Sequence, residues 1–199
     1  MKKVFIDGGA FNGASIRKFI KDYPDYAEYE IHSFEPNNHN FSMLEQWLKK
    51  QDLPNVQIYN TALWIKEENK KLWGGDAPGS ASATLNIFKG IRHQKHQEAV
   101  NPRSILPTVK CISLANWITT NYERDDYIVL KLDIEGAEYE IFDDFFSKNT
   151  FYYINEIVGE FHNKKCGIPI ERDEQIVSKL KNEYGLNWKE WEAIEFYKE

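Results

Sequence analysis

Cysteine is scarce: Cys111 and Cys166 are the only thiols in 199 residues. Two cysteines so far apart give neither a disulfide framework nor a zinc-binding spacing, and they fit a reducing compartment. There is no basic excess either, with 25 Lys and Arg against 31 Asp and Glu and a net charge of −6. That balance argues against a nucleic-acid partner, because phosphate contacts need a basic surface. No apolar run approaches the ~18 residues of a membrane span. Lys2 and Lys3 resemble the start of a signal segment, but the apolar run behind them is only Val4-Phe5-Ile6. That is too short for an export signal. The first residues already read as a buried strand, so no leader is expected ahead of the fold, and a cytoplasmic location is expected. Internal repeats and low-complexity runs are missing as well. With 42% hydrophobic and 15% aromatic residues, the chain can fill one core and fits two domains poorly.

Strand-like and helix-like segments alternate. Lys3 to Asp7 reads as a buried strand and Gly13 to Lys21 as a helix with Ile16, Phe19 and Ile20 inward. Glu30 to Glu35 is the second strand, stopped by Pro36. Asn37 or Asn38 then caps a helix running to about Lys50, with Phe41, Leu44 and Leu48 inward. Val56 to Leu63 reads as a third strand, Leu114 to Tyr122 as a helix, Tyr127 to Asp133 as a strand and Gly136 to Ser147 as a helix. Tyr153 to His162 contains a fifth strand, Arg172 to Tyr184 is a last helix, and Leu186 to Tyr197 reads as two strands. This order predicts an α/β fold, an open, mostly parallel sheet with helices on both faces. The final strand pair lacks room for a crossover helix, so one edge strand is expected to be antiparallel. Residues 66–110 break the rhythm with glycines, prolines and Ser80-Ala81-Ser82-Ala83-Thr84. A connection this long is expected to be an elaboration over the site within a single domain 1–199.

Four motifs carry chemistry. Asp7-Gly8-Gly9-Ala10-Phe11-Asn12-Gly13 joins the first strand to the first helix. A glycine turn there lets backbone approach a ligand beside free helix N–H groups. The dinucleotide fingerprint would need glycine at position 10, which is alanine. The remaining acid suits a ligand with positive groups rather than a pyrophosphate, and S-adenosylmethionine is such a ligand. The other reading is a plain tight turn. Glu35 lies 22 residues past Gly13, at a strand end, where an acid commonly accepts from both ribose hydroxyls. Asp133 ends a buried strand and could hold an amino group or orient an acceptor. Glu135 and Glu138 suit the first turn of a helix, where the macrodipole favours acids. Glu160 and His162 would share a strand face by alternation. His162 could take a proton from a hydroxyl, or the two could be a surface pair.

These motifs, with Phe34-Glu35-Pro36, Thr61-Ala62-Leu63, Lys131-x-Asp133-x-Glu135-Gly136-Ala137-Glu138 and Glu160-Phe161-His162, resemble the FkbM family of S-adenosylmethionine-dependent methyltransferases. The resemblance runs from about Val4 to His162. It implies a Rossmann-like class I methyltransferase fold, a seven-stranded sheet with one antiparallel strand. It also implies O-methylation of sugars, glycans or natural products. Carried over residue by residue, Asp7, Gly8, Gly9, Ala10, Asn12, Gly13, Glu35 and Asp133 would form the cofactor site, with Pro36 and Ala62 against the adenosine. The family often has Asn where Phe11 stands here, with Asn12 following.

The reaction expected from the resemblance is in-line methyl transfer to a hydroxyl, with S-adenosylhomocysteine as product. His162 is the expected base, with Glu160 or Asp133 orienting it or the acceptor. A divalent metal on Asp133, Glu135, Glu160 and His162 is not favoured, because no compact ligand motif is present. Lys89, Arg92, Lys95, Arg103 and Lys110 face only Glu98 between Leu85 and Lys110. Two readings stand for this charge, an anionic sugar, glycan or glycoconjugate acceptor, or a solvated loop face. Trp64 and Trp73 could stack on sugars or lie buried. The alternatives are a methyltransferase of another small-molecule or nucleic-acid acceptor, and a non-catalytic binding module.

Overall fold

Apolar runs of strand length alternate with stretches of helical period, and the chain folds accordingly. A computed structural model describes residues 1–74, 82–91 and 106–196. The first half contains β1 (Lys3–Gly8), α1 (Ala14–Asp22), β2 (Tyr29–Phe34), α2 (Asn38–Leu48) and β3 (Val56–Tyr59). Three short strands follow, β4 (Ala62–Trp64), β5 (Glu68–Lys71) and β6 (Thr108–Ser113). The second half contains α3 (Leu114–Asn121), β7 (Tyr127–Leu132), α4 (Glu138–Lys148), β8 (Glu156–Gly159), α5 (Asn163–Cys166), α6 (Ile170–Tyr184) and β9 (Trp188–Glu190).

The main sheet has six strands in the order β3-β2-β1-β7-β8-β9. Each neighbouring pair is parallel. Both faces are covered, which is why its central strands read as continuous apolar runs. Val4, Ile6, Ile128, Leu130 and Leu132 pack against Leu114 and Ile118 of α3, Phe142 and Phe145 of α4, and Ile176 and Leu180 of α6. Phe5, Ile31, Val129 and Val158 point the other way, against Ile16 and Phe19 of α1 and Leu44 of α2. The rings of Phe5 and Phe19 stack at 3.9 Å between centroids. A truncation such as Phe19→Ala at a site this well packed costs about 3–5 kcal/mol.

The small sheet has the order β4-β6-β5, with β4 parallel and β5 antiparallel to β6. Its existence corrects the expected single strand from Val56 to Leu63. The chain breaks at Asn60 and Thr61. The Thr61 N–H turns back to the Tyr59 carbonyl at 2.9 Å, and the Asn60 amide donates to the Glu35 carbonyl at 2.9 Å. That turn carries Ala62 out of the main sheet.

The tail also differs from expectation. It holds one strand, β9, followed by a 3₁₀ turn at Ile194–Phe196. With α6 as its crossover, β9 lies parallel to β8, as a strand–helix–strand connection requires. The expected seventh strand and antiparallel edge are therefore not found among the described residues. The antiparallel pairing lies in the small sheet.

Candidate active site

Strand order reverses between β1 and β7, with β2 and β3 to one side and β8 and β9 to the other. Open sheets leave a crevice at such a point, beyond the carboxyl ends of the strands. A cleft of about 490 Å³, its solvent-open part included, lies there. Gly9, Glu35, Pro36, Ala62 and Asp133 line it, with Leu63, Leu72, Leu85 and Ile134 as apolar wall.

The turn after β1 is left-handed at Gly9, Phe11 and Gly13, with φ of 82°, 52° and 91°. A Cβ on Gly9 would lie 1.9 Å from the Asp133 carbonyl oxygen. Only glycine therefore lets the ends of β1 and β7 meet. The N–H groups of Gly9 and Ala10 donate to the Phe34 carbonyl at 3.0 and 3.1 Å. Phe11 holds a left-handed conformation that asparagine tolerates better. Gly8, Ala10, Asn12 and Gly13 shape this turn without lining the cleft. Asn12 accepts from Arg17 at 3.3 Å through both its carbonyl and its Oδ1. Gly13 sits against the Trp47 ring, which a Cβ would approach to 2.8 Å.

Glu35 follows β2 and is 5% exposed. Its Oε2 accepts the Phe11 N–H at 2.9 Å and its Oε1 the Asn37 N–H at 2.8 Å. Burial pushes its carboxyl up to about 7, while these backbone donors, Lys131 and the Asn40 side chain hold it back.

Asp7 does not reach the cleft. It is fully buried, with Oδ1 3.1 Å from Lys131 Nζ and Oδ2 accepting from Ser33 Oγ at 3.1 Å. Register explains this, since Asp7 lies opposite Lys131 on β7 and Ser33 on β2. Lys131 Nζ also donates to the carbonyls of Gly8 and Gly9 at 2.9 and 2.8 Å. The positive group facing Asp7 is thus Lys131, not a ligand, and the pair buttresses the turn from below. The signal for it was a lysine inside an otherwise apolar strand.

The other end of the cleft is acidic. The Asp133 N–H donates to the Gly8 carbonyl at 3.2 Å, and burial raises the Asp133 carboxyl. Glu135 and Gly136 follow with φ of 58° and 107°. Glu138, fully buried, accepts the N–H groups of Ile134 and Gly136 at 2.7 Å each and meets His162 Nδ1 at 3.0 Å. Its role therefore exceeds the expected macrodipole contact. Burial pushes Glu138 up, but the hydrogen bond and charge of His162 outweigh it, and its carboxyl is lowered. Burial likewise pulls His162 down, while Glu138, Glu135 and Asp133 raise it above its usual value.

His162 is 1% exposed, and its Nε2 makes no hydrogen bond. That atom lies 3.4 Å from the Glu135 carboxylate and 3.7 Å from those of Asp133 and Glu160. β8 ends at Gly159, so strand alternation does not relate Glu160 to His162. Glu160 is exposed, whereas His162 turns inward ahead of α5. Nε2 is buried and His162 does not line the cleft, whereas Asp133 does.

The described part of 66–110 borders this cleft through Leu72, Ala83 and Leu85. Lys89 is 4% exposed and ion-paired with Glu135. Lys165 Nζ lies 3.7 Å from both Glu135 and Glu160. Lys110 is exposed. Arg92, Lys95, Glu98 and Arg103 fall outside the described residues. Trp64 is buried, donating to Glu68 at 2.9 Å under the Lys70 ammonium. Trp73 exchanges backbone hydrogen bonds with Thr84 and packs on Gly90. Neither ring lines the cleft, so sugar stacking on them is not supported. Asn40 and Leu72, which do line it, have no distinguishing sequence signal.

Comparison with known proteins supplies the family. The model of the methyltransferase FkbM domain matches residues 7–185. The crystal structure of methyltransferase FkbM from Methylobacillus flagellatus KT is similar at 13% identity with a TM-score of 0.42. That match covers 72% of this chain and 29% of the other, so this chain spans less than a third of that relative. No curated protein is significantly similar to it. With the family model running from the glycine turn to the end of the last long helix, the chain belongs to the FkbM methyltransferase domain family.

Proposed function

We propose that the protein is an S-adenosylmethionine-dependent O-methyltransferase acting on a hydroxyl of a sugar, glycan or glycoconjugate. The observation that carries the cofactor half of this reading is Glu35, and the acceptor class rests on the family resemblance. Glu35 is a buried carboxylate, raised to about 7, lining the cleft and tied to the glycine turn through the Phe11 N–H. Keeping such a group ionised costs stability unless a ligand uses it. A ribose diol, with two O–H donors, is such a ligand.

The residues fit the cofactor. Gly9 lines the cleft, with its backbone held against the Asp133 carbonyl. Pro36, Ala62 and Leu63 offer apolar wall to an adenine. Asp133 and Glu135 place negative charge where a sulfonium and an ammonium would lie, and where a pyrophosphate would be repelled. When bound, S-adenosylmethionine would supply a sulfonium methyl carbon open to in-line attack by an acceptor oxygen, with S-adenosylhomocysteine as the leaving group. Much of the protein's work is then alignment of the acceptor and exclusion of water by the apolar wall. Asp133 lines the cleft, and in this reading it orients the acceptor hydroxyl. Glu138 and His162 hold the loop behind Asp133.

The chain is read as one methyltransferase domain with 66–110 as an elaboration over the site. Its two free, buried cysteines fit the cytoplasm. Among the described residues no helix is long and apolar enough to cross a membrane.

The test is transfer of labelled methyl to a panel of neutral and acidic sugars and glycans. A labelled methyl ether is expected, with turnover reduced ~100-fold or more by Asp133→Asn. Labelling only of amines or nucleic acid would overturn the acceptor class.

A further inference from the structure

His162 Nε2 presents an unanswered electrostatic problem. Nδ1 is committed to Glu138 at 3.0 Å, and the ring is buried with Nε2 making no hydrogen bond. Nε2 nevertheless faces three carboxylates, 3.4 Å from Glu135 and 3.7 Å from both Asp133 and the exposed Glu160. A bare lone pair facing carboxylate oxygens is repulsive, so a cation belongs between them. Either a proton or a metal ion meets that need.

Geometry favours the ion. One ligand atom each from Asp133, Glu135 and His162 lie within 4.8 Å of one another. Ligands about 2.1 Å from a common ion stand roughly 3.0–3.5 Å apart at octahedral to tetrahedral angles. The Nε2–Glu135 distance of 3.4 Å falls in that range, and the 3.7 Å to Asp133 and the other separations, up to 4.8 Å, have to contract on binding. The imidazole is also held as metal-bound histidines are, its other nitrogen bonded to a carboxylate that fixes ring and tautomer. Glu138 is itself fixed by the Ile134 and Gly136 N–H groups.

We infer that Asp133, Glu135 and His162 form a site for one divalent transition-metal ion at the acceptor end of the cleft. A nitrogen ligand beside two carboxylates suits Mn²⁺, Fe²⁺ or Zn²⁺ better than Mg²⁺ or Ca²⁺, which prefer all-oxygen shells. Three protein ligands leave coordination positions for acceptor oxygens. The site deepens the proposed methyltransferase reading and rests on it for its purpose: the ion would polarise the acceptor hydroxyl so that its proton leaves more readily. Lys89, ion-paired with Glu135, is the competitor that the ion displaces.

The site can be tested apart from the cofactor. Chelator-treated protein, without S-adenosylmethionine, is titrated with Mn²⁺ while the free-ion electron paramagnetic resonance signal is recorded. One ion per chain is expected. Asp133→Asn and His162→Ala should each weaken binding tenfold or more, and Glu138→Gln 10–100-fold. Lys89→Met should tighten it severalfold, a gain that misfolding would not produce. Circular dichroism checks that each variant is folded, and Asp133→Asn, at the cleft surface, keeps the test alive if His162→Ala unfolds. Absence of stoichiometric Mn²⁺ and Zn²⁺ binding by the wild type would overturn the site and leave a protonated His162. Binding unchanged by Asp133→Asn would also overturn it. A failed cofactor titration on protein that binds Mn²⁺ would instead count against the methyltransferase reading alone.

Discussion

Two buried acids do different work at the residue scale. Asp7 has its countercharge inside the fold, in Lys131. Removing one partner of a buried pair leaves an uncompensated charge and costs about 3–5 kcal/mol. Lys131→Met should therefore lower stability by that amount in urea unfolding, and adding Asp7→Asn should recover part of it. A loss below about 1 kcal/mol would show that the pair does not hold the turn. Glu35 has no such partner at ion-pairing distance among the described residues. Its carboxyl sits near 7 against about 4.5 when unperturbed. Because the folded value is raised, this group's contribution to stability is present below about pH 4.5 and is lost as pH rises through 7. A ligand that donates to the carboxylate reverses the trend, since it binds the ionised form. Affinity for S-adenosylhomocysteine should rise ~10-fold from pH 6 to pH 8 and level off above. A flat profile measured by calorimetry would contradict the ribose role.

At the scale of elements, the glycines separate geometry from propensity. Gly9 and Gly185 both have positive φ, 82° and 71°. Around Gly185 a Cβ meets nothing within 4 Å, whereas at Gly9 it meets the Asp133 carbonyl at 1.9 Å. Gly185→Ala should cost only the left-handed penalty, about 1 kcal/mol. Gly9→Ala should cost several times more, because β1 and β7 must separate. Equal melting temperatures for the two variants would refute the close approach. This contrast also marks what sequence could tell. Helices α1, α2, α3, α4 and α6 were legible because their apolar period is local. The break at Asn60 and the parallel seat of β9 were not, because they depend on hydrogen bonds to distant segments such as Glu35 and Gly159. Gly9, Glu35 and Asp133, which line the cleft, were legible because ligands gather at strand ends, and Pro36 and Ala62 through the family resemblance. The depth of Asp7, Glu138 and His162 was not, since burial is set by what packs over them.

At the scale of the whole molecule, the reversal of strand order places the glycine turn, Glu35 and the acidic loop after β7 around one cleft. The small sheet and the chain beyond it supply the wall through Leu72, Ala83 and Leu85. Family membership makes the protein one of the FkbM methyltransferase domains. In the proposed function this cleft binds S-adenosylmethionine through Glu35. Calorimetric titration with S-adenosylmethionine and S-adenosylhomocysteine, on the wild type and on Glu35→Ala, tests it most directly. Micromolar binding of both ligands, about −8 kcal/mol, weakened at least tenfold by Glu35→Ala, is the predicted result. Failure of the wild type to bind either ligand, or equal binding by folded Glu35→Ala, would contradict the account.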